Sequence, residues 1–99
     1  MSGWHPDEGG KLIGQMGCEG IVLRDEEHDD GARITLERCG DHCEIVCGDY
    51  GSMMHTGFAG LDDADAVYEA MRSELGELVS TERTREERLA FYESFTSKW

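Results

Sequence analysis

Apolar and polar residues alternate along four stretches between residues 18 and 59, with the period of two that is typical of half-buried strands. The predicted strands cover about 18–24, 32–39, 42–48 and 53–59. Gly40-Asp41 and Tyr50-Gly51 separate the last three stretches as two-residue turns, and the charged segment 25–31 joins the first two. The pattern therefore predicts a four-stranded antiparallel meander.

The turns also predict the register of this sheet, and the register decides which side chains face the core. The second hairpin places Leu36 opposite Ile45, and the third places Cys47 opposite Met54. In the first hairpin, which has the longest loop, Ile21 is expected beside Leu36. One continuous apolar face follows, made of Ile21, Leu23, Ile34, Leu36, Cys43, Ile45, Cys47, Met54 and Phe58.

Helical periodicity replaces this alternation after residue 61. Apolar residues recur every three or four positions over about 62–79, which predicts an amphipathic helix with Asp62 as its N-cap, covering the apolar face. Gly76 costs a helix interior about 1 kcal/mol relative to Ala, so a packing reason or an early end of the helix is expected there. The fold class is therefore α+β.

A second helix is predicted over about 85–97, because Thr84 and Glu87 have the spacing of a capping box. One helix running continuously from residue 62 is the alternative. Four aromatic residues of this C-terminal segment are candidates for the core or for a protein interface, with a homo-dimer as one form of that interface: Phe91, Tyr92, Phe95 and Trp99.

Length and composition restrict the chain to a single domain, 1–99. Residues 1–10 are polar and Gly-rich and are expected to be flexible, except that Trp4 is expected to dock on the domain. We find no signal-peptide pattern and no apolar run of membrane-spanning length, so the expected location is the cytoplasm, as in a bacterial protein. In that compartment the four cysteines should be reduced.

The charge balance narrows the choice of partner. The chain has 22 acidic and 9 basic residues, a net charge of −13. We do not expect nucleic acid or anionic membranes as partners, because the negative charge of the chain would repel their phosphates. A basic protein partner is complementary, while solubility alone is the simpler explanation. The acidic segment offers candidate contacts at Asp25, Glu26, Glu27, Asp29 and Asp30.

The segment ERCGDHCEIVCGDYG, residues 37–51, has cysteines at every fourth position and resembles a metal motif when it is read linearly. The hairpin separates them, because Cys39 and His42 face one side of the sheet while Cys43 and Cys47 face the core as small apolar residues. In the predicted register, Cys18 joins Cys39 and His42 on the outer face. These three residues could bind zinc, Cys18 and Cys39 could form a disulfide, or both cysteines could be ordinary thiols.

Motifs for catalysis are absent from the sequence. It contains no G-x-S-x-G, no H-E-x-x-H and no Gly-rich phosphate loop after a strand, and residues 25–36 do not match a calcium-binding EF-hand loop. Glu37 and Glu44 are expected to face each other on the open side of the sheet as a solvated pair. We therefore expect no enzymatic activity and no cofactor, apart from the zinc alternative.

These observations favour a small acidic, non-catalytic protein-interaction module. In size, charge and build the chain resembles bacterial immunity and inhibitor proteins that neutralise a basic partner, a likeness of general character and not of particular residues. The alternative function is that of a small metal-binding or thiol redox protein that uses Cys18, Cys39 and His42.

Overall fold

The computed structural model describes residues 3–17, 19–50 and 53–99. Five antiparallel strands form one sheet in the order of the sequence: β1 (Trp4–Pro6), β2 (Ile21–His28), β3 (Ala32–Cys39), β4 (His42–Asp49) and β5 (Met53–Gly60). A short 3-10 turn follows β1 at Asp7–Gly10, and two helices follow the sheet: α1 (Ala64–Ser80) and α2 (Arg85–Lys98). The predicted α+β class is confirmed, with one strand more than predicted.

The β3–β4 hairpin has the predicted register, with Leu36 opposite Ile45 and Cys39 opposite His42. Gly40 has φ +75°, a left-handed conformation that glycine adopts easily, so it can occupy the first position of the two-residue turn. Cys43 and Cys47 are 1% and 4% exposed on the core side, as predicted. Cys39 lies on the opposite side of the sheet beside His42, also as predicted.

The predicted register of the β4–β5 hairpin is wrong by one residue. The connection between the strands spans residues 50–52 instead of two residues, so Cys47 lies opposite His55 and not opposite Met54. A shift of one residue reverses both faces of a strand. Met54 and Phe58, predicted to be in the core, are therefore 85% and 66% exposed, whereas Met53 is buried.

Strand β2 also differs from the prediction, because it spans Ile21–His28 and not 18–24. A bulge at Leu23 changes its register, and Val22, on the side of the sheet away from α1, is the buried residue. Ile21 and Leu23, predicted to be in the core, are 39% and 42% exposed. The predicted pairing of Cys18 lies outside the described residues.

The charged segment predicted as a loop over 25–31 is mostly strand. Its first part belongs to β2, and Asp25 is only 1% exposed because Arg33 donates two hydrogen bonds to its carboxylate, at 3.0 and 2.8 Å. Glu26 accepts a hydrogen bond from the Tyr68 hydroxyl of α1 at 2.8 Å. Since partners on both faces satisfy these charges, a strand without apolar alternation is stable here.

Helix α1 covers the apolar face of the sheet, as predicted, and its buried stripe is Tyr68, Met71, Leu75 and Leu78. The helix begins at Ala64 after Asp63, so the predicted N-cap at Asp62 is wrong by one residue. Gly76 has a packing reason, because a Cβ added there would lie 2.7 Å from Trp4 Nε1. Trp4 therefore docks on the domain as expected, against α1 and the ring of His28.

Helix α2 is separate from α1 and begins with the predicted capping box, in which Thr84 and Glu87 each accept a hydrogen bond from the other's backbone N–H. Phe95 is 1% exposed and packs against the ring of His55 on β5. The Tyr92 hydroxyl donates a hydrogen bond to Asp49 at the end of β4. The helix thus completes the core beside α1. Neither helix of the described chain is long and apolar enough to cross a membrane.

Candidate functional site: the outer face of the sheet

The outer face of the sheet is the side away from α1. It carries polar side chains that do not pack into the hydrophobic core. Strand alternation places Cys39 on this face of β3, His42 and Glu44 on β4, and Phe58 on β5. Two features follow along the face: a cluster of metal-ligating side chains at the β3–β4 turn, and an apolar groove toward the other end of the hairpin.

The ligand cluster consists of Cys39, His42 and Glu44. One ligand atom from each residue lies within 4.8 Å of the other two, and all three side chains are half-buried. His42 Nε2 is 3.0 Å from Glu44 Oε2, and His42 Nδ1 is 3.2 Å from Asp41 Oδ1. The structure therefore brings together two of the three predicted ligands and adds a carboxylate.

Burial and the neighbouring carboxylates together determine the protonation of this cluster. Hydrogen bonds from His42 to Asp41 and then to Glu44 raise the pKa of the imidazole. Burial, with a further contribution from the hydrogen bond to Glu44, raises the pKa of the Cys39 thiol to about 11. Without a metal, Cys39 is thus a neutral thiol at neutral pH, which is a poor nucleophile and does not favour the predicted thiol redox alternative.

Glu44 was predicted only as the partner of Glu37, and the sequence offers one signal for its place in the cluster. On a strand, residues two apart share a face, so Glu44 lies beside His42. Cys18, the third predicted ligand, lies outside the described residues, as does its predicted disulfide with Cys39. The described cysteines Cys39, Cys43 and Cys47 are free thiols.

Glu37 differs from its prediction, because it is buried at 2% exposure instead of solvated. Its Oε1 atom accepts hydrogen bonds from the backbone N–H groups of Glu19 and Gly20, at 2.7 and 2.9 Å. A Cβ added at Gly17 would lie 2.6 Å from the same oxygen atom, so glycine lets the chain close over this carboxylate. The covering segment is distant in sequence, and strand alternation gave no signal for it.

An apolar groove of about 430 Å³ lies between this covering segment and strands β4 and β5. Its apolar walls include Leu12, Val22, Val46 and Met54, and Gly48 also lines it. A Cβ added at Gly48 would lie 2.3 Å from the Met53 carbonyl oxygen, so a side chain at this position would displace the strand. The groove has the volume of a site for one or two side chains or for a small ligand.

The rim of the groove joins exposed aromatic surface to acidic residues. Tyr50 is 60% exposed, and its hydroxyl donates a hydrogen bond to Glu27 at 2.6 Å. Asp29 and Asp30 follow in the exposed turn between β2 and β3. Among the predicted acidic contacts, Glu27 therefore adjoins the rim through Tyr50, and Asp29 and Asp30 are exposed in the turn that follows β2.

The remaining predicted contacts are engaged inside the domain. Asp25 is buried, and Glu26 is bound to Tyr68 and Arg72 on the helix side of the sheet. The aromatic residues of the C-terminal segment pack on the core: Phe95 is buried, and Phe91, Tyr92 and Trp99 are half-buried.

Comparison of the chain with models of protein families, with curated protein sequences and with solved structures finds no match. Function therefore has to be inferred from the outer face itself.

Proposed function

We propose that the chain is a non-catalytic protein-interaction module that binds a basic protein through the outer face of β5 and the adjoining groove. The observation that carries this proposal is the exposure of Met54 and Phe58, at 85% and 66%, on the outer face of β5, where Met54 also lines the groove. Large apolar side chains grouped around a concave surface mark binding sites more often than isolated exposed ones do.

The position of β5 supports the same surface. It is an edge strand of eight residues, and its sequence MMHTGFAG has no Asp, Glu, Lys, Arg or Pro. Edge strands usually carry charges, prolines or bulges that prevent pairing with other chains. An edge without such protection suits the addition of a partner strand.

Charge supports a basic partner over a second copy of the chain. The chain has a net charge of −13, and most of the described arginines are already engaged in ion pairs within the domain, at Arg24, Arg33, Arg72 and Arg83. Two copies would repel each other, whereas a basic protein would be attracted and steered by this field. Glu27 adjoins the rim through Tyr50, and the exposed Asp29 and Asp30 follow it in sequence, so basic residues around an apolar anchor would meet acidic side chains there.

A non-catalytic role is supported by the state of the buried carboxylates. Asp25 binds Arg33, Glu37 accepts two backbone hydrogen bonds, and Asp49 accepts hydrogen bonds from Met53 N and the Tyr92 hydroxyl. Each carboxylate stabilises a local structure, and a general acid or base needs instead to face a substrate.

The proposal is tested by affinity capture from a cognate lysate with the full chain and with two variants. The double substitution Met54→Ser and Phe58→Ser removes the apolar surface, while Leu89→Ser, 53% exposed on α2, is the matched control. A basic protein should be retained by the wild type and the control, lost with the double variant, and released as salt screens the charges. Binding of that purified protein should then show the same order of variants.

Three outcomes would overturn the proposal. The first is that no captured protein depends on Met54 and Phe58. The second is a wild-type chain that sediments as a dimer which the double variant dissociates, since the surface would then bind a second copy. The third is capture of a small molecule alone in the groove, detected by mass spectrometry of the native protein.

A further inference from the structure

We propose that Cys39, His42 and Glu44 bind one Zn²⁺ ion at the β3–β4 turn, and that Asp41 positions the imidazole of His42 for this ion. This site adjoins the apolar surface of the proposed function at Phe58, which lies opposite Glu44, but it uses different side chains, and either function could exist without the other.

The hairpin brings the three ligands together at short range. Cys39 and His42 are cross-strand neighbours on either side of a two-residue turn, and Glu44 follows two residues later on the same face. Zinc binds sulfur at about 2.3 Å and nitrogen or oxygen at about 2.0–2.2 Å, so tetrahedral ligand atoms are about 3.3–3.8 Å apart. The cluster, in which all three ligand atoms lie within 4.8 Å of one another, can reach this geometry by side-chain rotation.

The donor atoms select the class of metal. A thiolate, an imidazole and a carboxylate are the three ligand types that zinc uses in proteins, whereas calcium and magnesium require oxygen ligands. Three protein ligands leave a fourth tetrahedral position for water, as in zinc sites that remain open. The sulfur ligand favours zinc over hard cations of the same charge.

Asp41 provides the outer partner that metal-bound histidines usually have. Its Oδ1 atom lies 3.2 Å from His42 Nδ1, so this nitrogen can donate a hydrogen bond to the carboxylate while Nε2 points toward Glu44. A carboxylate in this place fixes the tautomer and the ring orientation, and its loss typically lowers metal affinity about 10- to 100-fold. Asp41 is therefore a positioning residue and not a ligand.

The surroundings limit the movement of the sulfur and the imidazole. A Cβ added at Gly20 would clash first with the Arg38 carbonyl group and would also lie 3.0 Å from Cys39 Sγ, so glycine lets this segment pack closely on β3 beside the thiol. On the other side, the ring of Phe58 lies 6.4 Å from the ring of His42, measured between centroids. The ligands thus lie on the β3–β4 hairpin, with the segment before β2 on one side and β5 on the other, and not on a long loop.

Proton release should accompany zinc binding. The ion takes the place of the proton on Cys39 Sγ, and below the pKa of the imidazole it also takes the place of the proton on His42 Nε2. Because both ligands bind the metal only in their deprotonated forms, protons compete with the ion, and affinity should rise as pH rises from 6 toward 9.

The site is tested with Co²⁺ and Zn²⁺ on the full chain, reduced and freed of metal by a chelator. Co²⁺ should bind once per chain and give a thiolate-to-cobalt absorption band with the visible bands of tetrahedral cobalt, and Zn²⁺ should remove them by displacement. Cys39→Ser should abolish the thiolate band, and His42→Ala and Glu44→Gln should weaken binding. Asp41→Asn should lower zinc affinity about 10-fold, the low end of the usual range because the Asp41 side chain is fully exposed, with the band retained.

Controls separate this site from the other thiols and from unfolding. Cys18→Ser and His5→Ala should both leave the band unchanged, and circular dichroism of each variant checks the fold. The proposal is overturned if Co²⁺ gives no thiolate band, or if the band persists in Cys39→Ser. It is equally overturned if Cys18→Ser abolishes the band while a folded His42→Ala leaves it intact.

Discussion

At the scale of single residues, the most informative positions are charges that the chain buries. Asp25 has the sequence context of a solvated acidic loop, yet its side chain is inaccessible and bound to Arg33 and to the Thr35 hydroxyl. A buried charge is tolerated only when partners replace its hydration. The ion pair therefore fixes the β2–β3 register on the outer face.

Replacing Asp25 with Asn should destabilise the domain by about 2 kcal/mol, because Arg33 would lose its closest counter-charge. Losing one partner of a fully buried pair costs about 3–5 kcal/mol, and the cost is smaller here because Arg33 is partly exposed and keeps Asp7 at 3.2 Å. Urea unfolding measures the change, with the exposed Asp29→Asn as the matched control at under about 0.5 kcal/mol. Equal midpoints for the two variants would contradict this account.

Cys39 provides a pH-dependent prediction at the same scale. Burial and Glu44 raise its thiol pKa from 9.0 to about 11, so the reactive thiolate should form near pH 11 in the metal-free folded chain. Alkylation by iodoacetamide, followed at the Cys39 peptide by mass spectrometry across pH, measures the midpoint. The same peptide in urea should show a midpoint near 9. A native midpoint at or below the unfolded one would refute the prediction.

At the scale of elements, the three hairpins show how much a local pattern determines. Gly40 in a left-handed turn predicts the β3–β4 register correctly, because a two-residue turn leaves one pairing. The adjacent residues Met53 and Met54 fit either face of β5, so the alternation depends on the assumed length of the connection. One additional residue there reverses the strand and exposes Met54 and Phe58.

The contact between Gly76 of α1 and Trp4 of β1 predicts that Gly76→Ala changes stability in opposite directions in chains with and without Trp4. Gly76→Ala should destabilise the wild-type chain, because the new Cβ would lie 2.7 Å from Trp4 Nε1 and displace the ring. In a Trp4→Ala background the obstacle is gone, and the same substitution should stabilise α1 by up to about 1 kcal/mol through helix propensity.

Urea unfolding of the four proteins in this double-mutant cycle measures the interaction between the two positions. Because Trp99 also fluoresces, the difference in emission between chains with and without Trp4 reports on whether Gly76→Ala moves the Trp4 ring away from α1. If Gly76→Ala changed the free energy of unfolding in the same direction in both backgrounds, Trp4 would not be the reason for glycine at position 76.

At the scale of the whole molecule, the contribution of α2 to the hydrophobic core determines whether the sheet and α1 need this helix for stability. Its Phe95 is buried between α1 and the β4–β5 hairpin, while Leu89 of the same helix is 53% exposed. The helix therefore contributes to the core through a single fully buried side chain, with half-buried aromatic residues around it.

Phe95→Ala should lower the free energy of unfolding by about 3 kcal/mol, because it leaves a cavity that the neighbouring strands cannot fill. Leu89→Ala, on the same helix, should change it by less than about 0.5 kcal/mol. Thermal and urea unfolding of the two variants provide the comparison. Similar small changes for both would mean that α2 is a detachable helix and not part of the core.

The sequence alone determined the α+β class, the β3–β4 hairpin and the start of α2, because these follow from signals within a few residues: period-two alternation, a left-handed glycine and a capping box. Tertiary structure decided which face of β5 is buried, where β2 ends and which charges are buried, because these depend on residues distant in sequence. Glu37 illustrates the difference, since its burial requires Glu19 and Gly20 to fold over it. The cluster of Cys39, His42 and Glu44 depends on both local sequence and tertiary structure. The local turn brings the ligands together, and the surrounding residues determine their protonation.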